Sequence, residues 1–197
     1  MAPYKLIPYG ISDFAQVREE DKYYADKTMY LPKMEAAGNF LFLIRPRRFG
    51  KSLFLSMMRY YYDINEKDNF DSLFTGLWIE KNPTPLMGTF QVLYLDFSQV
   101  GGDMNSLFDR FNSRTGAVLD DFAYRYERFY YDGFAADVEK KSDFRSKLDH
   151  ITLQAKRRGI HLYLIVDEYD NFTNTVLNVA GEEVYHAMTH AEGFYRD

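Results

Sequence analysis

No cysteine occurs anywhere in this 197-residue chain. Its absence excludes a disulfide framework, a Cys-ligated zinc or iron–sulfur centre and a cysteine nucleophile. Long apolar runs are missing too. The longest, such as residues 40–44 and 162–166, fall far short of the ~20 residues that cross a bilayer as a helix. The opening MAPYKLIPYG holds no apolar stretch of signal-peptide length. A soluble, cytoplasmic protein with no membrane partner is therefore expected. Positive charge is also scarce: 24 Lys and Arg stand against 29 Asp and Glu, a net charge of −5. That balance counts against a whole surface given over to nucleic acid and leaves only a local basic groove open. Tryptophan occurs once, whereas Tyr and Phe occur 17 times each. Rings in such numbers fill cores and line half-buried edges.

What is present suits a globular chain. Hydrophobic residues make up 46% and charged residues 27%, enough apolar surface for a sizeable core. The length fits one ordinary domain, or one domain plus part of another. No internal repeat or low-complexity linker interrupts it. Ser12 and Asp13 are placed to cap a short helix carrying Phe14 and Val17, and Thr28 to cap another with Leu31 and Met34 that ends near Gly38. Residues 40–44 form an uninterrupted apolar run of strand length, the pattern of a buried parallel strand. A helix over 51–62 follows, with Leu53, Met57, Tyr60 and Tyr61 at helical spacing. Residues 82–85 read as a loop and 90–97 as a second buried strand, closed by Gly101-Gly102. Helical, aromatic-rich patterning runs from 103 to about 131, and another helix over 142–158 is stopped by Gly159. The segment IHLYLIVDEYD, 160–170, is a third strand, and a last helix is expected from Asn174 onward. Strands that are near-continuous apolar runs, alternating with helices, predict an α/β fold with a parallel sheet flanked by helices.

The segment RPRRFGKSL, 45–53, carries the first chemistry. A phosphate-binding loop leaves a strand, turns successive backbone N–H groups inward and enters a helix whose positive end faces the anion. Its second glycine permits close approach, its lysine reaches the β- and γ-phosphates, and the following hydroxyl ligates Mg²⁺. Gly50, Lys51 and Ser52 supply these three groups, and the amides nearest the phosphates belong to residues 48–52. Such a triplet arises by composition in roughly one chain of this size in ten, so the flanking strand and helix patterns are what strengthen it. Arg45 stands where the first glycine of a Walker A loop belongs, and Pro46 biases it towards extended geometry. Arg45, Arg47 and Arg48 either add charge to the site or are solvated. Residues 162–168, LYLIVDE, have the Walker B pattern. There Asp167 would hold Mg²⁺ through water and Glu168 would activate the attacking water; alternatively the two acids merely end a strand.

RPRRFGKSL, the DKT of residues 26–28 and the LIVDEYD of 164–170 together resemble the predicted AAA-ATPase-like family common in anaerobic and gut bacteria. The resemblance covers nearly the whole chain from Gly10. It implies a P-loop NTPase-type sheet, a bacterial and ATP-binding protein, and Mg as the accompanying metal. It also implies that arginine at the first Walker position is the family's habit. Carried over, the cofactor-binding residues are Arg48, Phe49, Gly50, Lys51, Ser52 and Leu53, the metal ligands are Ser52 and Asp167, and the catalytic residue is Glu168. On this reading residues 1–38 are a helical segment leading into the nucleotide site. Residues 39–197 are the core, with a helical insertion at about 103–140. The chain departs from the family at Asn171-Phe172, where Lys-Pro is usual. The further strands with sensor residues and the PD-(D/E)XK nuclease-like domain that often follow in that family are expected to be missing from these 197 residues. A partial sheet and impaired hydrolysis are therefore expected. No role for Asp26, Lys27 and Thr28 follows beyond a helix cap at Thr28 or a nucleotide contact.

Three rivals stand beside the ATPase reading. One is an inactive nucleotide-binding or protein-interaction module, acting through a partner or by self-association. Another is a nucleic-acid-processing component acting with a nuclease-like partner domain, and the third is a small-molecule kinase, which the glutamate after Asp167 disfavours. His186 and His190 lie four apart with Glu183 before them, but a di-iron site of that type needs a second copy that the chain lacks. The stretch RYERFYYDGF, 125–134, mixes arginine with rings as single-strand binders do; packing at a core edge explains it as well. No Ser-His-Asp arrangement is supported by spacing.

Overall fold

The computed structural model describes residues 4–46, 48–98 and 104–168. Contacts divide the chain into two compact units, Met1–Val92 and Leu93–Asp197. The expected Gly101-Gly102 stop and the helix from Asn174 lie outside the described residues.

The first unit is helical and is held together by rings. Helix α1 (Phe14–Glu19) starts at Asp13, whose carboxylate accepts the Gln16 backbone N–H at 2.9 Å, as an N-cap should. Helix α2 (Leu31–Ala37) ends at Gly38, and α3 spans Lys51–Tyr62, the bounds expected from its spacing. Helix α4 (Phe70–Phe74) is a short addition whose five residues are too few to show a helical period. Phe14 of α1 is fully buried and packs edge-on to Tyr24 and against Phe74 of α4 at 5.0 Å, while Tyr61 of α3 meets Phe74 edge-on. Aromatic pairs of this geometry add about 0.5–1.5 kcal/mol each beyond their buried area. Polar contacts orient α3 further. Ser56 Oγ accepts the Phe14 backbone N–H, Tyr60 Oη donates to Asp13, and Tyr62 Oη donates to Glu35. Helix α3 thus has fixed neighbours along its length, and its first turn carries Lys51, Ser52 and Leu53.

Among the described residues the sheet is two-stranded. Strand β1 (Gln91–Asp96) runs parallel to β2 (Leu162–Asp167), so the fold is mixed α/β as the apolar runs predict. Around β2 the second unit packs α5 (Met104–Tyr126), α6 (Phe134–Glu139) and α7 (Phe144–Arg157). Leu119, Tyr126, Phe134, Val138 and Ile151 are fully buried among them. The pattern predicted one helix to about 131; α5 ends at Tyr126, and a left-handed Gly133 restarts the chain as α6. Strand β2 is less enclosed than its apolar run suggested: Leu164 is 56% exposed. No described helix is long and apolar enough to cross a membrane.

One buried charge ties the second unit's helices. Lys147 of α7, with a side chain 9% exposed, donates to both carboxylate oxygens of Asp120 of α5 at 2.6 and 2.5 Å. Gly116 of α5 lies beside it, and a Cβ there would meet the ammonium at 3.9 Å, an ordinary contact. Lys147→Ala is expected to reduce unfolding free energy by about 2–3 kcal/mol in urea titrations. A fully enclosed pair would lose about 3–5 kcal/mol, but Asp120 is 25% exposed and water relieves part of the loss. Adding Asp120→Ala should recover much of it in a double-mutant cycle. A loss below about 0.5 kcal/mol would mean that the pair behaves like a solvated surface bridge.

Candidate functional site

The loop ahead of α3 does not follow a strand. Residues 40–44 adopt no strand among the described residues, and Phe40 and Ile44 are 94% and 84% exposed. The expectation of a buried strand there is corrected. An apolar run becomes a buried strand only where neighbouring strands take its amides and cover its faces. The paired strands of the described sheet are β1 and β2.

From Pro46 the chain turns tightly. The Phe49 backbone N–H donates to the Pro46 carbonyl at 3.3 Å, and the Phe54 N–H closes the first helical turn on Gly50 at 3.0 Å. Arg48 and Gly50 both take left-handed backbone angles, with φ of 67° and 74°, while φ of Phe49 between them is negative. Alternation of this kind turns successive N–H groups to one side and makes an anion-binding concavity. Glycine adopts such angles freely; arginine does so at about 1–2 kcal/mol. Helix α3 then starts at Lys51 after Gly50, which has no side chain to cap it, so the positive end of the helix dipole faces the loop. Lys51, Ser52 and Leu53 are half-buried, and Arg48 and Phe49 are exposed. The Ser52 hydroxyl makes no hydrogen bond among the described residues. The Arg45 guanidinium lies over the Phe54 ring, 5.4 Å from its centroid, so the residue replacing the first glycine packs on α3. Arg47 lies outside the described residues.

Thr28 differs from its expected role. It does not cap α2 or the short 3-10 turn Thr28–Tyr30 that precedes it. Its backbone N–H and hydroxyl both donate to one oxygen of Asp26, at 2.8 and 2.7 Å. The other Asp26 oxygen accepts the Trp78 N–H at 2.7 Å, and Thr28 Oγ1 accepts the Ile79 N–H at 3.2 Å. Asp26 and Thr28 therefore clamp the start of the 3-10 turn Trp78–Lys81. Thr28 is fully buried, so Thr28→Val leaves the Ile79 N–H without its acceptor. It is expected to cost about 2 kcal/mol, read as a lower urea midpoint that Thr28→Ser restores.

In the second unit, β2 ends at Asp167, which is 3% exposed. Tyr94 Oη of β1 donates to its Oδ2 at 3.1 Å, and the Glu168 N–H donates to its Oδ1 at 2.9 Å. Its own carbonyl accepts the Phe97 N–H at 3.0 Å. Glu168 is half-buried and left-handed, with φ of 52°. A carboxylate at the C-terminal end of a parallel strand, oriented by a half-buried tyrosine, is placed where open α/β sheets bind ligands. Tyr94 was not legible as part of the site; its only sequence signal is its position on an apolar strand.

The other candidates resolve as packing or fall outside. In 125–134, Tyr126 and Phe134 are fully buried, Tyr130 stacks on Phe134 at 3.8 Å, and Arg125 and Arg128 lie over Tyr126 and Phe129. Those rings and cations are engaged with one another. Glu183, His186 and His190 lie outside the described residues. Among the described residues no group of three or more His, Asp or Glu could hold a metal ion by itself.

A family model described as "Predicted AAA-ATPase" matches residues 8–197. The chain is also similar to a protein of Azotobacter chroococcum mcd 1, described as an uncharacterized protein in the vnfD 5′ region, at 45% identity over 76 residues. That similarity covers 38% of this chain and only 14% of the relative's length. No solved structure matches.

Proposed function

Because the chain belongs to the predicted AAA-ATPase family, we propose that it binds ATP with magnesium through the loop at 45–53 and hydrolyses it. The observation that supports this reading is the pair of left-handed angles at Arg48 and Gly50, with a negative φ at Phe49 between them, leading into the N-terminus of α3. Those features fit a polyphosphate by chemistry: inward N–H groups, a helix dipole and a lysine. Lys51 would take phosphate charge, and the amides of 48–53 would take phosphate oxygens. The Ser52 hydroxyl would offer magnesium a ligand. In the second unit, Asp167 is given the other metal-holding role and Glu168 the acceptance of a proton from water. Bound magnesium would offset phosphate charge and polarise the terminal phosphoryl group.

Tyr94 has a positioning role in this reading. Its hydrogen bond to Oδ2 holds the Asp167 carboxylate in one rotamer, and the Glu168 N–H holds the other oxygen. The test is calorimetric titration with Mg-ATP, followed by phosphate release from the same samples. Binding with turnover supports the proposal. Binding without turnover would make the chain a nucleotide-dependent switch or scaffold, and no binding would sink the reading altogether.

A further inference from the structure

The Asp26–Thr28 clamp leaves one residue of the DKT string unexplained. Lys27 lies between the two clamping residues, and its ammonium reaches the phosphate loop: a Cβ built on Gly50 would sit 3.6 Å from Lys27 Nζ. The Lys27 ammonium makes no hydrogen bond or ion pair among the described residues. Its nearest electrostatic influence is another cation, Arg45. An ammonium that could swing into solvent, where water would solvate it and screen Arg45, instead rests against the loop's left-handed glycine. Half-burial and then the Arg45 charge both hold its pKa below the usual lysine range. Both effects disfavour the charged form, and both would be offset by an anion.

We infer that Lys27 is a second phosphate-binding lysine, set against the Gly50 turn by the Asp26–Thr28 clamp. Gly50 is the point where the loop backbone passes closest to phosphate in such sites. A cation resting there adds its charge to that of Lys51. The clamp supplies its stiffness. With Asp26 tied to Trp78 and Thr28 tied to Ile79, the backbone on both sides of Lys27 is anchored, so less side-chain freedom is lost when the ligand arrives. The ligand chemistry is a phosphate chain, not a base. Inorganic tripolyphosphate and Mg-ATP should therefore feel the residue alike.

This inference rests on the nucleotide-binding reading, and the experiment separates the two. Wild type, Lys27→Met, Lys27→Arg and Lys51→Ala would each be titrated with Mg-ATP and with tripolyphosphate, at two salt concentrations, and melted without ligand. Lys27→Met should weaken both ligands about tenfold or more, reduce the salt dependence of binding, and leave the ligand-free melting temperature unchanged or raised. Lys27→Arg should keep most of the affinity. If wild type binds, Lys51→Ala loses binding and Lys27→Met binds like wild type, the inference is overturned while the nucleotide reading stands. If Lys27→Met loses affinity together with thermal stability, the residue is structural and the inference fails. If wild type binds neither ligand, both fail.

Discussion

Lys51→Ala is expected to weaken Mg-ATP binding, with Kd rising about 100- to 1,000-fold. The size follows from what the side chain is asked to do. A charge-assisted contact to a polyanion, made at the positive end of a helix, is among the strongest single interactions a site can offer. Truncating one partner of such a pair costs about 2–5 kcal/mol, and each 1.4 kcal/mol is a factor of ten in affinity. The fold should not suffer. Lys51 is the first residue of α3 and half-buried. Alanine is the better helix former, and removing a cation from the N-terminal end of a helix is mildly favourable. The melting temperature should stay within about a degree or rise slightly. Calorimetry beside thermal unfolding checks both halves. An unchanged Kd would show that the loop does not cradle phosphate.

Glu168→Gln is expected to leave Mg-ATP affinity within about threefold and to lower phosphate release by about 100-fold or more. A positioned carboxylate that takes a proton from attacking water contributes roughly 10²–10⁴ in rate. The amide has nearly the same shape and none of the basicity. The substitution leaves the local backbone interactions in place, because the Asp167 carboxylate is bonded to the Glu168 backbone N–H and not to its side chain. The left-handed angle at this residue is strained to a similar degree for both side chains, so stability should not change. Single-turnover phosphate release, compared with binding measured on the same preparation, is the appropriate assay. Turnover at the wild-type rate in Glu168→Gln would remove this residue from the chemistry.

Much of the fold could be read from local pattern. Helix α3 has the predicted bounds because its apolar spacing and the glycine before it are both local signals. Gly38 and Gly159 stop α2 and α7 for the same reason; Gly159 has φ of 65°, the conformation that favours glycine after a helix. Strands β1 and β2 fall where apolar runs of strand length stand between turn signals. Residues 40–44 carry the same signal and form no strand. Pattern records that a segment could be buried between strands, whereas pairing depends on whether strands are there to receive it. Helix α4 was missed because five residues are too few to show a helical period.

By itself the sequence determined which groups are available for phosphate chemistry. Gly50, Lys51 and Ser52 are consecutive at a helix start, and Asp167 and Glu168 are consecutive at a strand end. Those facts depend on neighbours within one helical turn or one strand, which is the range over which periodicity and capping act. Tertiary structure decided what orients them. Asp26 and Thr28 find Trp78 and Ile79 across 52 and 51 residues, and Tyr94 finds Asp167 across 73. Lys27 meets Gly50 from a different segment of the first unit. No periodicity spans such distances. The chain pays loop-closure entropy for these contacts, and a packed ring core of Phe14, Tyr61 and Phe74 supplies the burial that offsets it.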